Sequence, residues 1–446
     1  MSYKKLYKKY KAIEDIEQAD KLYITCGFVA KIRDHGKIIF LELRQRDKFI
    51  QIVCEKAFVS TKLWQKIKGL TKESAICVKG ITRRPITKLS KHLHKLELHV
   101  KGLEIYSKAK SLLPFEIDSS KRVEPKIRFD YRWLDLRDYK KQLIFEVWTE
   151  LEYAFSEFLR RKGFIQIHTP KLMPVASEGQ DELFYLDYFG KKAYLAQSAQ
   201  FYKQMAIASG FEKVFHIGPV FRANKAFTTR HDTEFTQFDV EMAWIDYHDL
   251  MELEEQLLVF ILRHIKQKLG KKIKRYYGVK IDIPTLPFPR LQLVEVKNLL
   301  KSVDINARKQ GDLSPEEERA IAKIIKEKYG HDFVFITHYP KNKRAFYHMA
   351  EPDNPKIAAG FDLIYKGLEI TTGSSREHRL KLLKQYARQK GEDLKALKYY
   401  FEFFKYGMPS HGGFGFGPSR FIKQLLALPH VKEATFLPRL VNRLVP

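Results

Sequence analysis

The chain has 446 residues, room for two or three domains with a sizeable core, and 81 Lys and Arg against 53 Asp and Glu give it a net charge of +28. Such an excess points to a polyanionic partner, most simply nucleic acid. Three cysteines without a CxxC pair suggest neither a zinc site nor a disulfide framework, and with no secretory signal or membrane-length apolar run a membrane role is excluded and a reducing cytoplasm expected.

Residues 1–19 read as a basic extension. Residues 20–106 hold five short alternating segments, KLYITCGFVAKI, KIIFLELR, FIQIVC, SAICVKGITR and KLELHVKGLEIY, which predict a small β-barrel, usually an OB-fold. In KIIFLELR, Ile39, Leu41 and Leu43 share one face and leave Phe40, Glu42 and Arg44 on the other. An aromatic beside an arginine on an outward strand face is a platform for base stacking. Gln51 and Glu97, polar residues on otherwise apolar strands, are placed to read base edges. The histidines of HLHKLELH read as a solvated strand face rather than a metal box.

Residues 107–140 form a charged hinge with Pro114 and Pro125. Residues 141–446 mix helices and strands, so the second domain is expected to be α+β on an antiparallel sheet, with a small insertion near 285–345. It opens on a long amphipathic helix, KKQLIFEVWTELEYAFSEFLRRKG, with Ile144, Val147, Leu151, Phe155 and Phe158 on one stripe and Gly163 as its stop. FIQIHTP then reads as a strand ended by Pro170. VASEGQDELF puts Glu178 and Gly179 in a polar loop able to close over a site. In LAQSAQFYKQ, Ser198 is the expected N-cap, and Gln200 and Lys203 share a face of the first turns, where a lysine beside a helix N-terminus suits a carboxylate ligand.

The densest chemistry lies between Phe215 and Met242. Two alternating strands flank the polar loop of FRANKAFTTRHDTEF, with Arg222 on one polar face and Phe235, Gln237, Asp239 and Glu241 on another. If the faces coincide, a cation, an aromatic ring and carboxylates suit a ligand carrying phosphate, a π-face and an ammonium. In FDLIYKGLEITTGSSREHR a tight turn at Lys366-Gly367 would bring Asp362 and Glu369 onto one face, with Thr372 and Arg376 following. That pair suits Mg²⁺, or forms a cross-strand pair balanced by Arg376. HGGFGFGPSR lacks the Gly-Lys-Ser/Thr of a P-loop, yet glycines followed by a helix start and Arg420 suit a nucleotide phosphate.

Taken in order from residue 20 onward, these segments resemble an aspartyl-tRNA synthetase of the archaeal and eukaryotic type, in class IIb, without the large domain inserted in bacterial forms. The helix ending at IHTP resembles motif 1, FRANKAFTTRHDTEF motif 2, and GGFGFGPSRF motif 3. The resemblance implies ATP, L-aspartate and tRNA(Asp) as substrates, Mg²⁺ as the metal, and a homodimer with Pro170 at its interface. Arg222 and Arg420 would be the catalytic arginines, Arg222 on the α-phosphate and the aspartate α-carboxylate. Phe235 would stack on adenine, with Asn224, Arg230, His231, Glu369 and Gly417 also at ATP. Lys203 and Arg376 would clamp the side-chain carboxylate of aspartate, while Glu178, Gln200, Asp239 and Thr372 complete its pocket. Asp362, Glu369 and Thr372 would carry the metal, and Phe40, Gln51 and Glu97 would read the anticodon.

Four positions depart from the family pattern: Ala199 for proline, Asn224 for glutamate, Ser375 for glutamine and Ser419 for glutamate. Ala30, where strictly discriminating relatives carry tryptophan, leans towards relaxed specificity and makes tRNA(Asn) a second acceptor to consider. Three other readings stay open: an asparaginyl enzyme, a non-catalytic RNA-binding paralogue, and an ATP-dependent amide ligase. Two cations around the side-chain pocket speak against the first, because asparagine leaves a buried charge unmatched. The barrel speaks against the last.

Overall fold

The computed structural model describes residues 10–86, 89–117, 123–178, 182–224, 232–305 and 310–445. The chain divides into two units, residues 1–142 and 143–446, at the first turn of a long helix.

The first unit holds the barrel. Strands β1 (Leu22–Asp34), β2 (Ile38–Gln45), β3 (Lys48–Glu55), β4 (Ala75–Arg83) and β5 (Glu97–Ser107) close in the order β1-β2-β3-β5-β4. Period-two alternation turns Ile39, Leu41, Leu43, Ile50 and Ile52 into a dry interior. Between β3 and β4 lies helix α1 (Thr61–Lys68), capped by the Ser60 hydroxyl on the Leu63 N–H, which buries Trp64 and Ile67 in the same core. Cys26 and Cys77 face each other across β1 and β4 and are joined as a disulfide. That corrects the expectation drawn from spacing, because 51 residues of separation say nothing about cross-strand register. Cys54 stays free, and burial pushes its thiol up to about 12. The hinge is partly helical, at Pro125–Asp130 and Arg132–Asp135, where buried Arg132 donates to Asp135 (2.7 Å).

The second unit begins along α2 (Tyr139–Arg161). Its stripe of Ile144, Val147, Leu151 and Phe155 is buried, and Gly163, at φ +84°, ends the run as expected. The following strand is shorter than its alternation suggests. Only β6 (Ile165–Gln166) forms, paired in parallel with Val214 and Phe215. Strands β7 (Leu172–Met173), β8 (Tyr185–Tyr188) and β9 (Lys191–Leu195) make a small separate sheet, and α3 (Gln200–Ala208) follows.

The main sheet has eight strands in the order β12-β13-β14-β15-β16-β11-β10-β6. These are β10 (Lys213–Phe221), β11 (Glu234–Ala243), β12 (Arg290–Gln292), β13 (Phe333–Thr337), β14 (Gly360–Tyr365), β15 (Leu368–Arg376) and β16 (His411–Phe416). Pairing is antiparallel except at β6/β10 and β12/β13. Helices α4 (Tyr247–Tyr277), α5 (Leu293–Lys301), α6 (Pro315–Tyr329), α7 (Leu380–Gln389) and α8 (Pro418–Leu425) belong to the unit, with a short helix at Lys398–Glu402 between the last two. One face of the sheet is sealed by aromatics from α2 and the central strands, with Phe155 and Phe238 ring centroids 4.7 Å apart. The segment near 285–345 is packed into the unit rather than set apart from it. Its strands β12 and β13 form the edge of the main sheet, and Val296 and Ile321 of its helices share a core with Ile336 and Ile364.

Under the sheet, α4 hides Glu254, fully buried, which accepts a hydrogen bond from the Thr371 hydroxyl (2.5 Å). Burial pushes its carboxyl up from the ordinary 4.5 to about 8. The unfolded chain releases this proton near 4.5, whereas the folded chain holds it to about 8, so stability falls as pH rises through that window. Glu254→Gln is therefore expected to flatten this slope and raise the melting temperature at pH 8 by roughly 2–4 °C for each kcal/mol recovered, with little change at pH 5. Thermal unfolding at the two pH values checks it.

Candidate active site

The β10–β11 register decides whether the polar faces meet. His216 lies opposite Asp239, Gly218 opposite Gln237, and Val220 opposite Phe235. That parity carries Arg222 to the face of Phe235, Gln237 and Asp239, and all four line one cavity of about 820 Å³. The Arg222 guanidinium sits 5.7 Å from the Phe235 ring centroid, and its buried Nε has no hydrogen-bond partner among the described residues. Glu178, Gln200, Lys203, Asn224, Glu369, Thr372, Arg376, Gly417 and Arg420 line the same cavity. The expectations for Gly179, Arg230 and His231 fall outside the described residues.

At the floor, Lys203 Nζ donates to Asp239 Oδ1 (2.8 Å) and lies 3.4 Å from Glu241. Arg376 donates from Nε to Glu241 (3.0 Å), and its other nitrogens reach the Ser374 hydroxyl (2.8 Å) and the Gly413 carbonyl (3.0 Å). All four side chains are almost wholly buried, so two cations and two anions neutralise one another away from water. Burial pushes the Asp239 carboxyl up, but the Lys203 ammonium and the His216 ring outweigh it and hold the group at about 2. Burial raises Glu241 as well, and Arg376 and Lys203 together bring it below its ordinary value. Sequence alternation places Glu241 on this face without revealing that it bridges the two cations.

Glu178 is fixed from two sides. The Ser198 hydroxyl donates to it (2.6 Å), and the Tyr347 hydroxyl lies within 2.9 Å of both its oxygens. Tyr347, beneath Arg376 at 5.3 Å, is a member that no local pattern announces. Ser198 is not the N-cap. Ala199 holds that position, because the helix starts one residue later than expected, and the Ser198 hydroxyl accepts from the Gln200 N–H (3.3 Å) at its first residue.

HGGFGF is a central strand whose glycines make room for neighbouring side chains, and Gly415 also stands at the cavity wall. A methyl on Gly413 would stand 2.1 Å from Glu241 Oε2, and one on Gly415 would stand 2.3 Å from Gln237 Nε2. Only hydrogen leaves room for the floor. Gly417 begins α8, and Arg420 in its first turn donates to Glu369 (3.0 Å).

The Lys366-Gly367 turn forms as expected, at φ +47° and +80°. A register shift between Leu363 and Ile364 sets Asp362 opposite Thr372 and Ile364 opposite Glu369, which brings both carboxylates to one face. Arg344, not Arg376, balances Asp362 (2.6 Å), and Thr372 donates to its other oxygen (2.9 Å). Burial raises the Asp362 carboxyl, and although Arg344 opposes this, the Glu369 charge adds to it. No group of three His, Cys, Asp or Glu able to hold a metal occurs among the described residues. Glu369 and Thr372 at the cavity wall, with Asp362 behind them, fit a hard cation that takes one or two carboxylates and completes its shell with phosphate oxygens.

On the barrel, Phe40, Gln51 and Glu97 come together. Gln51 donates to Glu97 (2.9 Å) and accepts from Arg33 (2.9 Å), whose guanidinium lies 5.6 Å from the Phe40 ring centroid. Arg33 is a fourth member, hidden in an ordinary charged strand end. His92 pairs with Glu42 and His99 with Glu97, while His94 Nδ1 accepts from the Leu96 N–H (3.1 Å). Pro170 is solvent-exposed.

Residues 124–441 match the family model described as tRNA synthetases class II (D, K and N), and residues 23–106 match the OB-fold nucleic acid binding domain. An aspartate–tRNA(Asp) ligase from Pyrococcus abyssi is 37% identical over 95% of each chain. An aspartate–tRNA(Asp/Asn) ligase from Archaeoglobus fulgidus is also 37% identical, over 94% of this chain and 95% of its own. Among solved structures, asparaginyl-tRNA synthetase from Pyrococcus horikoshii complexed with asparaginyl-adenylate has a TM-score of 0.87 at 32% identity, covering 96% of this chain and 97% of that one. The aspartyl tRNA synthetase from Entamoeba histolytica has a TM-score of 0.87 at 30% identity, covering 98% and 93%.

Proposed function

Since the chain belongs to the class II tRNA synthetases of the D, K and N group, we propose that it is an aspartate–tRNA ligase, joining L-aspartate to ATP and passing it to the 3′ end of tRNA(Asp). The observation that carries the choice of amino acid is the buried pair Lys203 and Arg376 beside Asp239 and Glu241. Aspartate brings a side-chain carboxylate for the two cations and an ammonium for Asp239, Glu178 and Gln200. It would exchange the site's internal ion pairs for equivalent ones. Asparagine brings no anion, and the cations would lose pairing on its entry.

In the proposed reaction the aspartate α-carboxylate attacks the α-phosphorus in line, and the bond to pyrophosphate breaks. Arg222, at the mouth of the aspartate pocket, bridges that carboxylate and the α-phosphate. Phe235 stacks on the adenine, and Arg420 meets the outer phosphates. No side chain moves a proton in this step, so catalysis is alignment plus stabilisation of charge on phosphate oxygens. Mg²⁺ held near Glu369 and Thr372 would neutralise part of that charge. Pyrophosphate exchange dependent on aspartate, and absent with asparagine, tests the assignment; exchange with asparagine alone overturns it.

The barrel then receives the anticodon, with Phe40 as the stacking residue. Phe40→Ala is expected to lower kcat/KM for tRNA charging by roughly 10–100-fold, the worth of one base stack, while exchange stays at the wild-type rate. Equal loss in both assays removes the anticodon role. Ala30 favours a second acceptor, tRNA(Asn), and relatives of equal identity are named for tRNA(Asp) alone and for both; charging of each purified tRNA decides this. We further infer a homodimer through the Pro170 region, next to exposed Ile165 on the edge strand β6. No helix among the described residues is long and apolar enough to cross a membrane, and the cytoplasm is the proposed compartment.

A further inference from the structure

Asp232 stands where the polar loop re-enters β11, three positions before Phe235, and both line the cavity with Arg420 and Val431. Its side chain is buried, with the residue 5% exposed. The Thr435 hydroxyl, just past the 3-10 turn that follows α8, donates to Oδ2 (2.7 Å) and fixes the carboxylate. Oδ1 is buried with no hydrogen-bond partner among the described residues. A buried acceptor left in that state costs free energy until a donor arrives. Burial pushes the carboxyl up to about 6, against the Thr435 hydrogen bond and the Lys432 charge, so it is ionised and acceptor-only at pH 7.5.

We propose that Asp232 is the residue that recognises the base, its Oδ1 accepting a hydrogen bond from the exocyclic 6-amino group of adenine. The inference rests on the reading that this cavity takes ATP with its base on Phe235. A base stacked on Phe235 sits in the cavity that Asp232 also lines, and Asp232 brings to it a carboxylate oxygen with no described partner. Adenine offers N–H at position 6, whereas guanine offers a carbonyl oxygen there, which would meet the carboxylate acceptor to acceptor.

The test compares aspartate-dependent pyrophosphate exchange with ATP, with purine riboside triphosphate (which lacks the 6-amino group) and with GTP. The wild type is expected to favour ATP over the purine analogue by roughly 10–100-fold in kcat/KM, the range for a hydrogen bond to a charged acceptor, and to reject GTP. Asp232→Leu is expected to bring ATP and the analogue within about 3-fold of each other by losing activity on ATP alone. Asp232→Asn, which keeps one acceptor oxygen and the Thr435 contact, should retain an intermediate preference, and it carries the comparison if the leucine variant does not fold. An unchanged ratio, or an equal loss on both nucleotides, overturns the proposal. Absence of exchange with every nucleotide in the wild type would instead defeat the ATP reading itself.

Discussion

Lys203→Met is expected to reduce aspartate-dependent pyrophosphate exchange by roughly 10³-fold, chiefly through the KM for aspartate. Methionine matches the length of the lysine stem but leaves Asp239 and Glu241 without the ammonium that lies 2.8 and 3.4 Å from them. Removing one partner of a buried ion pair costs about 3–5 kcal/mol, and here the same cation is also needed for the ligand. Because Arg376 still holds Glu241, folding should survive, at a lower melting temperature. The variant should gain no activity with asparagine, since Arg376 continues to ask for an anion. Steady-state exchange with both amino acids checks this, and a wild-type KM for aspartate would remove Lys203 from the site.

Arg222→Ala should lower the rate and, because the same guanidinium is proposed to hold the aspartate α-carboxylate, weaken aspartate binding as well. Its guanidinium lies beside the Phe235 ring, and the buried Nε has no described partner, which leaves that donor for a ligand. Charge builds on the α-phosphate only as the new bond forms, so losing this donor should lower the single-turnover rate of adenylate formation by about 10²–10³-fold. Arg222→Lys should recover little, because an ammonium cannot present two parallel donors to a carboxylate and a phosphate. A lysine variant at the wild-type rate would mean that charge alone suffices.

The barrel strands, the α2 stripe and the β10–β11 hairpin were legible because their signal is local: alternation or helical spacing within one segment. The same periodicity placed Asp239 and Glu241 on one face. It could not show that Glu241 meets Arg376, 135 residues further on, nor that Arg344 rather than Arg376 balances Asp362. Those contacts depend on strand order, with β16 lying between β11 and β15. The pairing of Cys26 with Cys77 and the edge position of β12 and β13 are of the same long-range kind. The glycines of HGGFGF have a further constraint of this long-range kind, set by Glu241 and Gln237 on the adjacent strand. Tyr347 and Arg33 carry no pattern at all and become visible only through what they touch.

The floor of the cavity is at electrical peace within the protein itself, each cation seated on an anion of the protein's own. A visiting amino acid is therefore not drawn to bare charge; it must trade places, returning to the interior every ionic bond it dislodges. Selection then works as a balance of exchange, and a molecule that cannot make good what it disturbs is refused before any phosphate has moved.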